Sequence, residues 1–399
     1  MTKLIKGTKQ FQLANLALFS AGFITFANLY ITQPLMPEFT KEFGITPAMA
    51  SLSLSVATLS LAISLLVFGS LSEAWGRKKL MTISIFIASA LSISLAFTQS
   101  YEMLLALRVV QGIVFAGVPA IAMAYLAEEV EGPSLGVAMG LYISGTSIGG
   151  MSGRIIMGSM SDLFSWQVGV IILGVVSLAI CFYFVWALPP SKHFVARPLQ
   201  FKPLVKSLFH HLRDSTLVCL FAIGFLLMGS FVTMYNYISF KFLEEPYALS
   251  ATIVGWIFLV YLVGTFSSAW FGSLSSKYGK QPVLYLGIII FLAGLLLTIP
   301  GPLFMQIIGL VIFTFGFFAA HSVASGWVSA RATHDKAQAS SIYLFAYYLG
   351  SSVAGTAGGY FWMNFGWSGI VGFLGCGILL CLSCAMYIHY ANRKQQATP

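Results

Sequence analysis

The chain has 399 residues, of which 58% are hydrophobic and only 8% charged, with a formal net charge of +9. Soluble domains carry roughly 25% charged residues, so a water-soluble fold of this length could not hide that much apolar surface. A basic balance could point to nucleic acid, but the placement of the cations along the chain argues against it.

A membrane-crossing helix needs about 20 apolar residues, and helices satisfy their own backbone polar groups in lipid. Hydropathy predicts twelve spans, near 12–36, 47–71, 80–98, 102–127, 134–157, 167–188, 214–240, 250–272, 282–299, 303–329, 338–362 and 366–389. The start, with Lys3, Lys6 and Lys9 before an apolar run, mimics a signal peptide. The run is too long and lacks a small-residue cleavage site, so it is taken as the first span. Of the 21 Lys and Arg, seventeen then face one side, only Lys41 and Lys241 face the other, and Arg108 and Arg154 fall inside spans. This asymmetry places both termini in the cytoplasm. The five cysteines all lie in apolar segments; Cys381 and Cys384 form a C-x-x-C with no His or carboxylate nearby and are read as apolar filler.

Residues 189–213 are the only long polar stretch and are read as a cytoplasmic linker, with a surface-lying amphipathic helix over 204–213. It separates an N-terminal six-helix bundle, 1–188, from a C-terminal one, 214–399. The halves repeat. G-S-L-S-E-A-W-G-R-K-K from Gly69 matches G-S-L-S-S-K-Y-G-K from Gly272, an offset of 203. Ala17-L-F-S-A-G-F faces Cys219-L-F-A-I-G-F, the glycine-rich run from Tyr142 faces that from Tyr347, and Phe164-S-W faces Phe365-G-W. An even number of spans per half gives parallel repeats, with a substrate path expected near the midplane between them.

These residues resemble the major facilitator superfamily over the whole chain. Motif A appears as Gly69, Leu71, Glu73, Gly76, Arg77 and Lys78, with Glu for the usual Asp; Gly272, Gly279 and Lys280 form the second copy, with Ser276 where the acid would stand. Motif B is met by Arg108, Gln111 and Gly112, and Pro34-Leu-Met-Pro37 is similar to motif D. Motif C is altered: Gly145, Gly149, Gly150 and Gly153 are present, but Gly150 stands for the proline and Arg154 for the last glycine. Within the family the chain resembles the bacterial drug:proton antiporter branch and its YnfM-like inner-membrane transporters. The resemblance implies the major facilitator fold: twelve helices in two six-helix bundles related by a pseudo-twofold axis. It also implies an inner-membrane location and a monomer.

Glu73 is expected to face the positive N-terminal end of span eleven, near Ala339, as a latch, with Arg77 holding Glu73, Glu128, Glu129 or Glu131; Gly69 and Gly76 are expected to permit close backbone approach. A charge such as Arg108 inside a span costs a few kcal/mol and should face a cavity or a partner; it serves either coupling or hydrogen-bonded structure. Arg154 either lines the cavity or snorkels outward. The glycines spaced by four on span five, and Gly350, Ala354 and Gly358 on span eleven, are read as packing ridges. The twelve acids all sit at span ends or loops, with Glu38 nearest the outer mouth. His321 is the imidazole inside a span, suited either to proton coupling or to an interhelical hydrogen bond. Phe26, Tyr30, Gln33, Gln111, Phe115, Tyr235, Asn236 and Tyr347 are the expected cavity wall.

There is no phosphate loop, so ATP-driven transport is disfavoured. No H-E-x-x-H metalloprotease motif occurs, an enzyme is not expected, and neither a cofactor nor a metal is implied. The expected function is proton-coupled efflux of small amphipathic organic compounds, of the multidrug type, by alternating access. A sugar or polar-metabolite transporter is the alternative, and a transporter-like receptor a more distant one.

Overall fold

The structure is a computed structural model and describes residues 3–194, 210–299 and 301–397. It is helical: α1 Lys9–Tyr30, α2 Met36–Glu42, α3 Pro47–Trp75, α4 Arg77–Leu95, α5 Tyr101–Phe115, α6 Pro119–Glu129, α7 Gly132–Leu163, α8 Trp166–Ala187, α9 Ser215–Leu243, α10 Ala251–Trp256, α11 Tyr261–Tyr278, α12 Lys280–Leu297, α13 Leu303–Arg331 and α14 Lys336–Ala397. A 3-10 turn, Ile257–Val260, joins α10 to α11. The β-pairing among the described residues is one isolated parallel bridge, Leu4 to Val130.

Helix starts follow side-chain chemistry. Thr8, Ser100, Ser165, Asp214 and Ser250 each accept a hydrogen bond from a first-turn N–H of the helix they precede, satisfying donors that have no partner within the helix. Helix breaks follow proline and glycine. Span one was expected to run to residue 36, but α1 stops at Tyr30. Pro34 and Pro37 have no N–H to give to the preceding turn, and a turn of residues 31–35 leads into α2. Span four is likewise cut ahead of Pro119, into α5 and α6.

The expected turns at the two repeated phrases are shorter than a loop. α3 continues through Glu73 to Trp75 and α4 starts at Arg77, so Gly76 alone makes the corner. Gly76 has φ +94° and Gly279, in the second copy, φ +90°, a region that glycine enters without steric cost. Spans eleven and twelve follow one another within α14 and are separated by a kink at Gly366, φ +56°.

Among the described residues, ten helices are long and apolar enough to cross a membrane by length and composition, α5 with α6 and α10 with α11 each counting as one. Gly366 divides the last of these, and α7, rich in Gly and Ser and carrying Arg154, accounts for the remaining expected span.

Contacts divide the chain into two compact units: residues 1–44, 56–200 and 250–258, and residues 45–55, 201–249 and 259–399. The dividing lines fall inside α3 and inside the 3-10 turn, rather than only in the linker. In the first unit α1 packs along α7 and α4 along α8; in the second, α9 packs along α14 and α12 along α13. The amphipathic helix expected over 204–213 lies outside the described residues apart from 210–213.

Candidate functional site

The glycine ridge of α7 sets a close helix contact within the first unit. A Cβ added at Gly145, Gly149 or Gly153 would lie 2.4, 2.1 or 2.5 Å from the carbonyl oxygens of Phe19, Phe23 and Ala27 in α1. The four-residue spacing on α7 thus meets a four-residue spacing on α1, backbone against backbone. In the second unit Gly350 approaches the Phe225 carbonyl in the same way, at 2.0 Å. Gly150 points elsewhere, toward Arg154 and the Tyr30 ring.

Arg154 does not snorkel. It is 2% exposed; its Nε donates to Gln33 Oε1 at 2.6 Å and its Nη1 to the Gly150 carbonyl at 2.7 Å. The guanidinium lies over the Tyr30 ring at 3.9 Å and the Phe258 ring at 5.0 Å, a cation–π setting. Three expected site residues, Tyr30, Gln33 and Arg154, therefore form one cluster. Phe26 extends it, with ring centroids 6.4 Å from Tyr30. Gly150 in place of the motif proline leaves room for the Arg154 fork.

Arg108 is fully buried. Its Nη1 donates to the Asn28 carbonyl at 3.1 Å and to Gln111 Oε1 at 2.8 Å, and its Nη2 to the Leu29 carbonyl at 2.5 Å. Those two carbonyls are freed by the break at the end of α1, so the cation sits on the negative end of a helix dipole. The network continues through Gln111 Nε2 to Ser92 Oγ, Ser92 Oγ to Asn28 Oδ1, and Asn28 Nδ2 to Ser177 Oγ, at 3.0, 2.6 and 2.9 Å. Four helices, α1, α4, α5 and α8, are joined by it. Phe115, 2% exposed, closes α5 at the next break. Asn28, Ser92 and Ser177 were not expected as site residues, although Asn28, an amide in an apolar run, was an available signal.

At the corner between α3 and α4, Arg77 makes a forked pair with Glu128: Nη2 to Oε1 at 2.7 Å and Nε to Oε2 at 3.3 Å. Glu73 stands 3.9 Å from Arg77, with 42% of its side chain exposed. Arg77 also donates to Ser72 Oγ. Lys78 Nζ caps the end of α8 through the Val185 carbonyl at 2.7 Å. Around Gly69, Gly76 and Gly272 a Cβ would meet open space, so none of them serves close approach; Gly76 serves through its positive φ. Glu128→Ala is expected to cost about 1–2 kcal/mol, because it strips a buried guanidinium of its charge-assisted bonds. Glu73→Ala should cost less than about 0.5 kcal/mol, as exposed pairs do. Melting of the two purified variants checks the ranking.

Glu38, in α2, accepts from Ser161. Burial pushes its carboxyl above the usual range; the Ser161 bond opposes this, and Glu42 and Asp162 add to it. Asp162 Oδ2 caps the start of α10 through Thr252 N at 2.9 Å, and a Cβ at Gly158 would strike the Ala251 carbonyl at 2.7 Å.

The second unit gathers aromatic rings. Phe231 stacks on Phe317 with centroids 3.9 Å apart, and Tyr261 lies edge-on to Tyr235 at 5.0 Å. Tyr235 Oη and Thr314 Oγ1 are 2.7 Å apart. His321 stacks on Phe317 at 5.8 Å, lies 4.7 Å from Tyr347, and its Nδ1 is 2.9 Å from Tyr343 Oη. Tyr235, His321 and Tyr347 are thus brought together, with Phe231, Tyr261 and Phe317 as members the sequence reading missed. Asn236, also buried, is the neighbour of Tyr235 in α9. Among the described residues no group of three or more His, Cys, Asp or Glu could hold a metal ion.

Paired glycine corners, proline-broken helices and hydrogen-bonded cations inside an all-helical membrane protein define a class, the multi-pass membrane transporter. The chain belongs to the Major Facilitator Superfamily, whose family model matches residues 18–245 and 224–399. It is 52% identical over 388 residues to the MFS-type transporter YybF of Bacillus subtilis (strain 168), covering 97% of this chain and 96% of that one. It is 45% identical over 384 residues to the inner membrane transport protein YnfM of Escherichia coli (strain K12), covering 96% and 92%. A partial match, 29% over 170 residues and 40% of this chain, reaches the multi-drug resistance efflux pump PmrA of Streptococcus pneumoniae, 42% of which is covered. The fold is similar to that of a bacterial homologue of the human lysosomal transporter Spinster, with a TM-score of 0.76 at 14% identity, over 97% of this chain and 98% of that one.

Proposed function

We propose that the chain exports small amphipathic organic compounds across the bacterial cytoplasmic membrane in exchange for protons, by alternating access. The observation that carries this reading is the aromatic cluster around His321: stacked rings with few fixed charges suit amphipathic ligands, and an imidazole among them can take up and release a proton. The partial likeness to an efflux pump supports the same direction of transport. Residues 1–188 and 214–399 act as the two moving halves and 189–213 as their tether, with both termini in the cytoplasm, and the monomer is the working unit.

In this reading His321 and Glu38 are the two candidates for the proton carrier. Arg108 and Arg154 stay charged and set the local field rather than carrying the proton. Glu73 latches the cytoplasmic side, with Arg77 and Glu128 fixing the corner on which it sits. The second motif A copy, with Gly272, Gly279 and Lys280 but Ser276 for the acid, shapes a corner without a latch.

Substrate-induced proton release from purified protein tests the carrier. His321→Ala should abolish release while substrate still binds, and Glu38→Gln should leave it; the reverse pattern moves the role to Glu38. Glu73→Gln should slow transport at least tenfold with little change in melting, and unchanged transport would remove the latch. A second reading, a polar-metabolite transporter, is favoured by the Arg154–Gln33 cluster, which could hold hydroxyl groups. Counterflow with dyes, antibiotics and sugars separates the two.

A further inference from the structure

Four of the chain's six histidines lie close to the linker ends or to the loop facing one of them: His193, His210, His211 and His334. Three of them meet in the second unit. His210 and His211 lie a few residues ahead of α9, and His334 lies in the short loop between α13 and α14. The Nε2 atoms of His210 and His334 are 2.7 Å apart, and their ring centroids are separated by 4.5 Å. His211 stacks on His334 at 6.4 Å and meets His210 edge-on at 5.8 Å. His211 is 2% exposed.

We infer that His210 and His334 form a proton-operated clasp that ties the entry of α9 to the loop leading into α14. Two ring nitrogens 2.7 Å apart require one N–H to donate and one lone pair to accept. A first added proton is tolerated, because it goes to the Nδ1 of the donor ring and leaves the shared bond in place. For His334 that nitrogen faces Thr333 Oγ1 at 2.8 Å, which can turn its hydroxyl to accept. A second proton has only the accepting Nε2 to occupy. It sets two N–H groups and two positive rings against each other, and the bond is lost. Acidification supplies that second proton, so the clasp opens as the pH falls.

The surroundings favour that opening. The pocket beside the pair, about 240 Å³, is lined by His210, His211, Asp214, Leu217, Arg331, Ala332 and Thr333. From the α9 side the charged or titratable groups are His211, Arg213 and Asp214; from α13, Arg331; from the loop and the start of α14, Asp335 and Lys336. Asp214, the carboxylate of the pocket wall, is already engaged: Oδ2 with Arg331 Nε at 2.9 Å, and Oδ1 with Thr216 N and Leu217 N at 2.9 and 3.2 Å. It is therefore poorly placed to neutralise a doubly charged imidazole pair. The consequence for transport rests on the proposed function: the loop positions the first turn of α14, near Ala339, which is the surface the Glu73 latch would meet. An acidified cytoplasm would loosen that turn.

The test reads the clasp without substrate, so it is independent of whether the chain exports anything. Hydrogen–deuterium exchange is followed over residues 210–217 and 332–340 in purified full-length protein at pH 7.5 and 5.5, corrected for the intrinsic pH dependence of exchange. Wild type should exchange at least about fivefold faster at pH 5.5 in both segments together. His334→Phe and His210→Gln should remove the pH step. His193→Gln, in the other unit, should keep it. Melting of each variant identifies any that fail to fold; should His334→Phe do so, His334→Gln takes its place. A wild type without a pH step, or a step that survives both substitutions, overturns the proposal.

Discussion

Gly149→Leu will leave little or no folded protein. Its added Cβ would sit 2.1 Å from the Phe23 carbonyl oxygen and 2.5 Å from the Phe23 Cα, both backbone atoms of α1 that cannot rotate away. Overpacking a core commonly costs 1–3 kcal/mol, and here the obstacle is a helix axis, so the penalty should reach about 3 kcal/mol or more. Gly149→Ala should already lower the melting temperature by several degrees. Gly140→Leu, on the same helix with open space around its Cβ, should leave both yield and melting near wild type. Detergent-extracted yield and thermal melting of the three variants measure the contrast. Equal behaviour of positions 140 and 149 would refute the glycine-ridge account.

Arg108→Lys will be nearly as damaging as Arg108→Met. The guanidinium reaches the Asn28 and Leu29 carbonyls and Gln111 at once, a forked geometry that a single ammonium cannot reproduce. Lysine would keep a fully buried charge with fewer partners, and methionine would leave two helix-end carbonyls and an amide oxygen unpaired. Either change should cost roughly 3 kcal/mol and reduce the transport rate at least about 100-fold, by unseating the end of α1 that carries Tyr30 and the turn that carries Gln33. Rates in cells, normalised to membrane-inserted protein, and melting of the purified variants give the two readouts. Full transport in Arg108→Lys would mean that charge alone, rather than the fork, is required.

The fold was legible because lipid leaves few choices. A 58% hydrophobic chain whose apolar runs are about 20 residues long satisfies its backbone in a membrane as helices, and glycines spaced by four suit helix packing. Helix ends were less legible. Glu73 reads as a loop residue by polarity, yet α3 carries it, because one glycine at φ +94° suffices to turn the corner. The break of α1 depends on two prolines whose effect a hydropathy window averages away.

The site divides in the same manner. Arg108, Arg154 and His321 stood out because ionisable groups in a span are rare. Their partners did not. The Asn28 and Leu29 carbonyls are invisible in sequence, and Ser92 and Ser177 resemble any small residue of a membrane helix. The pairing of Lys241 with Gln306 at 2.7 Å, beneath the Trp367 ring at 4.3 Å, joins residues far apart in the chain, and nothing local announces it.

Flux in sealed proteoliposomes under an imposed pH gradient, at zero membrane potential, measures the central claim most directly. With protein oriented either way, an amphipathic cationic dye should accumulate in the compartment that begins acidic, and protons should move out of it in step. Collapsing the gradient should stop accumulation, and His321→Ala should abolish proton movement and dye accumulation together. Dye movement at the same rate and to the same final distribution with and without the gradient, in wild type, would contradict proton-coupled exchange.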